Sequence, residues 1–171
     1  ECTYTFMSDG SVSIDNNVVS YGTLPKALPR LGLTMRLCPE LDKIKYYGRG
    51  PWENYIDRCS GSFVGIYEST VDAQYVDYVK PQDNGYKSFV RWAKFVDKSG
   101  RGVCFSASGN MFMQALHFGW EDLFLARHDG WKSEMRRYAP PLKQKDIILN
   151  LDVRQTGLGG ASVGPEPLKK N

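Results

Sequence analysis

No uninterrupted apolar run approaches the roughly 20 residues that a helix needs to cross a bilayer, and the longest apolar stretches alternate with polar residues. No membrane span is expected. Charge of one sign does not dominate either: 22 Lys and Arg against 19 Asp and Glu leave a net charge of +3. The basic residues are scattered, without the stripe that tracks a phosphate backbone, so nucleic acid is not an expected partner. Cysteine is sparse. Cys2, Cys38, Cys59 and Cys104 form no C-x-x-C pair and no His stands at zinc-finger spacing, so no metal site is expected here. The four thiols read as reduced and mostly buried rather than as a disulfide framework. Also missing are internal repeats, low-complexity tracts and linkers, and only Gly164–Asn171 has the composition of a frayed end. The first residues, Glu1 to Phe6, carry no basic leader, apolar signal region or initiator Met, and read as the middle of a strand in an excised piece. A signal peptide would lie outside that piece, which leaves the compartment open.

What is present is ordinary globular material, with 42% hydrophobic and 24% charged residues over 171 positions. That length suits one domain, residues 1–171, with a single core. Apolar residues recur at period two in Leu31, Leu33, Met35 and Leu37; in Val90 and Trp92; in Val103, Phe105 and Ala107; and in Ile147, Leu149, Leu151 and Val153. Period two places alternate side chains on one face of a half-buried strand. Turn signals fall between such runs at Ser8-Asp9-Gly10, Asp15-Asn16-Asn17, Asp83-Asn84-Gly85 and Lys98-Ser99-Gly100. The last predicts a hairpin of Phe89–Val96 with Gly102–Ala107. Gly119–Arg127 suits one or two helical turns, and helix content is otherwise expected to be small. Glu40–Arg58 and Gly61–Asp77, rich in aromatic, Gly and polar residues, read as long connections across the surface.

The densest cluster of functional residue types is Tyr47-Gly48-Arg49-Gly50-Pro51-Trp52-Glu53-Asn54-Tyr55-Ile56-Asp57-Arg58. Gly48, Gly50 and Pro51 suit a tight turn. Trp52 and Tyr55 offer flat apolar faces, while Glu53, Asn54, Asp57 and Arg58 offer hydrogen bonds. Aromatic face plus polar fork is how proteins grip sugars, so these six are the candidate substrate-binding residues. The same residues equally suit a loop pinned to a sheet by charged and backbone hydrogen bonds. Glu53 and Asp57 as a glycosidase acid and nucleophile would be a third use, but any loop with two acids meets that pattern.

The run Gly48-Arg49-Gly50-Pro51-Trp52-Glu53-Asn54-Tyr55-Ile56-Asp57-Arg58, with Leu28–Leu33 before it and Tyr78–Gly85, Ala115–Phe118 and Leu149–Gly160 after it, resembles the signature blocks of one family. These are the blocks, in order, of the C-terminal domain of family 2 glycoside hydrolase β-galactosidases. The resemblance covers nearly the whole chain. It implies an all-β fold, a large antiparallel β-sandwich of the supersandwich, galactose-mutarotase-like type. It also implies a parent that cleaves terminal β-galactosides with retention and assembles as a homo-oligomer. The two catalytic glutamates and the magnesium and sodium sites would lie in a (β/α)₈ barrel outside this chain, leaving no catalytic residue and no cofactor here. The domain would pack on that barrel and help close the galactose pocket.

One departure stands out. The resemblance implies a sugar-stacking Trp after the last Gly-Gly, yet Gly159-Gly160 is followed by Ala161-Ser162-Val163-Gly164-Pro165, and no aromatic residue follows Tyr138. Two other classes remain as alternatives. An aldose epimerase of mutarotase type would use His117 or His128, the latter near Asp129 and Glu134, as acid or base. A stand-alone carbohydrate-binding module would use Trp52, Tyr55, Trp120 and Trp131.

Overall fold

The computed structural model describes residues 1–23, 28–78, 82–125 and 141–159. It is nearly all β, with antiparallel sheets of two and six strands, consistent with an all-β sandwich. The small sheet is a hairpin of β1 (Cys2–Phe6) and β2 (Val12–Asn16), closed by the Ser8-Asp9-Gly10 turn. The large sheet holds β3 (Arg30–Leu37), β4 (Lys43–Gly50), β5 (Phe63–Thr70), β6 (Lys87–Val96), β7 (Gly102–Leu116) and β8 (Ile147–Gln155). Their order across the sheet is β3-β8-β7-β6-β4-β5. One short helix, α1 (Trp120–Leu125), and one 3-10 turn at Asp72–Gln74 complete the described elements.

Side-chain alternation sorts the sheet into two faces. Register places Met35, Leu149 and Ala115 in one row, and Ile44, Phe95 and Val103 in another. These rows belong to one apolar core that also holds Tyr46, Val90, Met113 and Ile147. Each fully buried side chain of this size contributes roughly 1.5–3 kcal/mol, so this face carries most of the fold's stability. Residues one step out of phase point to the second face, where Thr34, Asn150 and Gln114 stand side by side. A smaller cluster of Tyr55, Tyr86 and Phe112 packs there.

The β6–β7 hairpin forms where the Lys98-Ser99-Gly100 turn predicts it. Asp97 Oδ1 accepts from the backbone N–H groups of Ser99 at 2.8 Å and Arg101 at 3.0 Å, which closes the turn. β7 runs on past Ala107 to Leu116, carrying its inner half under the second-face cluster.

Four expectations need correction. Glu40–Arg58 and Gly61–Asp77 are not long surface connections, because each contains an eight-residue strand, β4 and β5. Tyr and Gly disguise the alternation of β4, whose Ile44, Tyr46, Gly48 and Gly50 are the buried positions. Gly48 is in strand rather than turn for a packing reason: a Cβ there would stand 2.9 Å from Val90. The thiols are free, but Cys2, Cys38 and Cys104 are exposed and only Cys59 is partly covered. Three of the four therefore sit at outward positions instead of in the core. Asp83-Asn84-Gly85 joins no hairpin, since β5 and β6 are not neighbours, and Asp15 and Asn16 belong to β2.

Candidate functional site

β4 delivers the chain to Gly50, a cis peptide bond leads into Pro51, and residues 51–58 then turn back over the second face. A single bridge between Tyr55 and Arg58 closes this loop. Glu53 is the loop's polar hub, with its side chain only 11% exposed. Its Oε1 accepts from Arg58 Nη2 at 2.6 Å and from the Tyr78 hydroxyl, and its Oε2 accepts from the Gly85 N–H at 2.7 Å. Such charge-assisted bonds are about twice as strong as neutral ones, so Glu53 ties three segments together.

Asn54 is fully buried, and its side chain makes three hydrogen bonds. Its Nδ2 donates to the carbonyls of Arg49 at 3.1 Å and Trp52 at 3.0 Å, and its Oδ1 accepts from Ser88 N–H at 2.9 Å. Tyr55, also fully buried, stacks on Tyr86 at 5.2 Å between ring centres and donates its hydroxyl to Asp83 Oδ2 at 3.0 Å. Burial, with the Asp83 and Glu53 charges adding to it, raises the Tyr55 phenol far above its ordinary value. The Arg58 guanidinium lies 4.8 Å from the centre of the Tyr55 ring. Asp57 Oδ2 accepts from Gly159 N–H at 2.7 Å, which fixes the chain just after β8 to the same loop.

From Asp83 the network crosses the sheet. Gln114 Nε2 donates to Asp83 Oδ1 at 2.7 Å, and Gln114 Oε1 accepts from Arg30 Nη1 at 3.1 Å. Arg30 Nε pairs with Asp152 Oδ2 at 2.8 Å, and the Tyr86 hydroxyl donates to the same oxygen. Lys87 sits beneath this assembly with one hydrogen bond among the described residues, to the Gly85 carbonyl at 3.2 Å. Burial lowers its ammonium to about 8, against some support from the nearby Glu53 charge.

The structure thus brings Glu53, Asn54, Tyr55, Asp57 and Arg58 together and bonds each of them to the loop or the sheet, while Asp57 Oδ1 is buried without a partner among the described residues and Arg58 bonds only through Nη2. Trp52 points outward, at 76% exposed, and Arg58 is exposed in the same loop. The Glu53 and Asp57 carboxylates serve separate networks, Glu53 with Arg58, Tyr78 and Gly85, and Asp57 with Gly159. Tyr55 is a core residue rather than an exposed platform, which corrects that expectation. His117 is buried, with Nδ1 3.1 Å from the Asp146 carbonyl. His128, Asp129, Trp131, Glu134, Tyr138, the segment from Gly160 to Pro165 and the tail Gly164–Asn171 lie outside the described residues, as does Arg127 at the end of the predicted helix. Among the described residues, no group of three His, Cys, Asp or Glu side chains is placed to share a metal ion.

Sequence reasoning missed Tyr78, Asp83, Tyr86, Lys87, Gln114, Arg30 and Asp152 as partners of this loop. Arg30, Tyr78, Asp83 and Asp152 fall inside the quoted sequence blocks, a usable signal. Lys87 and Gln114 carry none, because their roles depend on which face of β6 and β7 they occupy.

A family model described as the β-galactosidase small chain matches residues 1–171, the whole chain. The chain belongs to the β-galactosidase small-chain family. It is 29% identical over 158 residues to a β-galactosidase of Priestia megaterium, covering 92% of this chain and 14% of that protein. It is 29% identical over 164 residues to a β-galactosidase of Actinobacillus pleuropneumoniae, covering 95% of this chain and 15% of that protein. A Lactobacillus delbrueckii subsp. bulgaricus β-galactosidase is 38% identical over 102 residues, 59% of this chain and 10% of its own length. The small-chain domain therefore spans about a seventh of the first two relatives, 14% and 15% of their lengths.

Proposed function

We propose that this chain is a non-catalytic C-terminal domain of a β-galactosidase, a single sandwich over residues 1–171 of the galactose-mutarotase-like type. It packs on the catalytic barrel of its parent and helps close the galactose pocket. Hydrolysis of terminal β-galactosides with retention, and any magnesium or sodium sites, belong to the parent's barrel. The observation that carries this reading is the internal bonding of the loop: Glu53, Asn54, Asp57 and Arg58 each make a hydrogen bond that holds structure. Loop and strand then present apolar groups outward, Trp52 at its tip and Phe63, Val64 and Ile66 on β5, the last strand of the sheet. Exposed apolar groups beside an unpaired strand edge suit an interface with further protein.

The test is a pair of assays with galactose chemistry. The chain alone should neither hydrolyse an aryl β-galactoside nor speed anomer exchange of galactose, and the full-length polypeptide should hydrolyse with retention. Faster anomer exchange with the isolated chain would replace this reading by the epimerase one. Replacing Ile66 by Lys in the full-length polypeptide should lower galactoside hydrolysis by loosening the packed domain.

A further inference from the structure

A cleft of about 400 Å³ opens on the second face of the large sheet, apart from the Trp52–Arg58 loop. That volume lies within the range of small-ligand sites, about 300–1,000 Å³. Arg30, Thr34 and Arg36 of β3 and Asn150 of β8 line it from the sheet, and Trp120 and Glu121 line it from α1. Trp120 is 70% exposed, so its flat face is available to a ligand.

The polar groups keep unspent capacity. Thr34 Oγ1 donates to Asn150 Oδ1 at 2.6 Å and retains its lone pairs, while Asn150 Nδ2 gives one hydrogen to Gln114 Oε1 at 2.9 Å and retains the other. Arg36 uses Nη1 on Gln144 Oε1 at 2.8 Å, leaving the rest of its fork. Arg30 Nη2 is buried and has no hydrogen-bond partner among the described residues.

Charge narrows the ligand class. Arg30 is already matched by Asp152 at 2.8 Å and Asp83 at 3.5 Å, and Arg36 by Asp146 at 3.7 Å. Glu121 lines the cleft, and Asp122 accepts from Gly119 N–H at its rim. Among the described residues, three carboxylates pair with the two guanidinium groups and Glu121 and Asp122 add two more at the cleft, which disfavours an anion. A ladder of donors and acceptors beside one exposed indole face suits a neutral ring whose hydroxyls need directional partners and whose C–H face stacks. We infer that this cleft is a second, non-catalytic binding site for a neutral pyranoside, with Trp120 as the stacking platform and Thr34 and Asn150 as the hydroxyl-reading pair.

The experiment is a saturation-transfer NMR titration of the full-length polypeptide with methyl 1-thio-β-D-galactoside, whose sulfur linkage resists hydrolysis. Wild type, Trp120→Ala and Thr34→Val are compared, with galacturonate as a charged counterpart. One binding component should weaken about tenfold in both variants, the loss of one good contact, and galacturonate should not occupy that component. Galactoside hydrolysis, measured on the same samples, reads the parental function separately. Identical titrations for all three proteins, or a preference for galacturonate in the component the variants affect, would overturn the inference. Trp120 is exposed and Val is isosteric with Thr, so both variants should fold.

Discussion

Asp57 and Gly157 meet with no room between them. A methyl group on Gly157 would overlap the Asp57 carboxyl, and Gly157 holds φ +88°, a conformation that L side chains rarely adopt. Two residues on, Gly159 N–H donates to Asp57 Oδ2 at 2.7 Å. The loop after β4 therefore grips the chain where it leaves β8, a hundred residues further along the sequence.

Gly157→Ala should destabilise the protein by roughly 2–3 kcal/mol, combining a left-handed backbone with a steric clash. Chemical denaturation measures it. Adding Asp57→Ala should cost less than the sum of the single changes, because the second truncation relieves the clash made by the first.

Asn54→Asp keeps the shape but turns a donor that faces two carbonyls into a third acceptor. With Arg49 and Trp52 carbonyls at 3.1 and 3.0 Å, the buried carboxylate would meet repulsion and lose two hydrogen bonds. A loss of roughly 2–4 kcal/mol is expected, read by thermal and chemical unfolding. An Asn54→Asp protein of normal stability but weakened sugar binding would instead assign Asn54 to ligand contact.

Arg58→Ala leaves the largely covered Glu53 carboxylate without its cation and exposes the Tyr55 ring. Because the Arg58 side chain is itself 47% exposed, solvent screens part of the pair. A cost of about 1–3 kcal/mol is expected, with galactoside affinity unchanged in the molecules that remain folded. Arg58→Lys should recover little of this, since an ammonium cannot reach both Glu53 and Tyr78 while covering a ring face.

Lys87 makes the protein's stability rise with alkali over a defined window. Its value falls from 10.5 in the unfolded chain to about 8 in the fold. Below pH 8 both states hold the proton and the folded state bears the full cost of a buried charge. Between pH 8 and 10.5 the folded state releases the proton first, so stability increases with pH. Lys87→Met should therefore stabilise the protein at pH 7, on the order of 1–3 kcal/mol, and its advantage should shrink as pH passes 8. Melting temperatures of both proteins at pH 7 to 9.5 check this, below the range where ionisation of Tyr55 and Tyr86 in the unfolded chain begins to oppose folding. An advantage that does not change with pH would assign the effect to packing.

Period two was legible in three of the four alternating runs, and failed at Val90 and Trp92, where a register shift in β6 leaves Val90 in the core cluster without Trp92. Leu31 to Leu37, Val103 to Ala107 and Ile147 to Val153 all lie in strands, and Asp97 closes the turn that Lys98-Ser99-Gly100 marks. β4 and β5 were not legible in that way. Gly48 and Gly50 signal turns locally, and only the close approach of β6 and of the Tyr46 and Tyr67 side chains makes them strand residues. Local pattern carries no information about a neighbour some forty positions away.

The sequence by itself determined the all-β class and the family, because strand periodicity and a long run of fixed residue types are local properties. It also determined which residues cluster after β4. Tertiary structure alone decided which partners those residues have. A Glu, an Asn and an Arg in one loop can hold a sugar or hold the loop, and the choice depends on whether their polar atoms find protein partners. Tyr78 and Gly85 supply partners for the Glu and Ser88 for the Asn, as Gly159 does for Asp57, from segments that the fold, not the sequence, brings within hydrogen-bond reach.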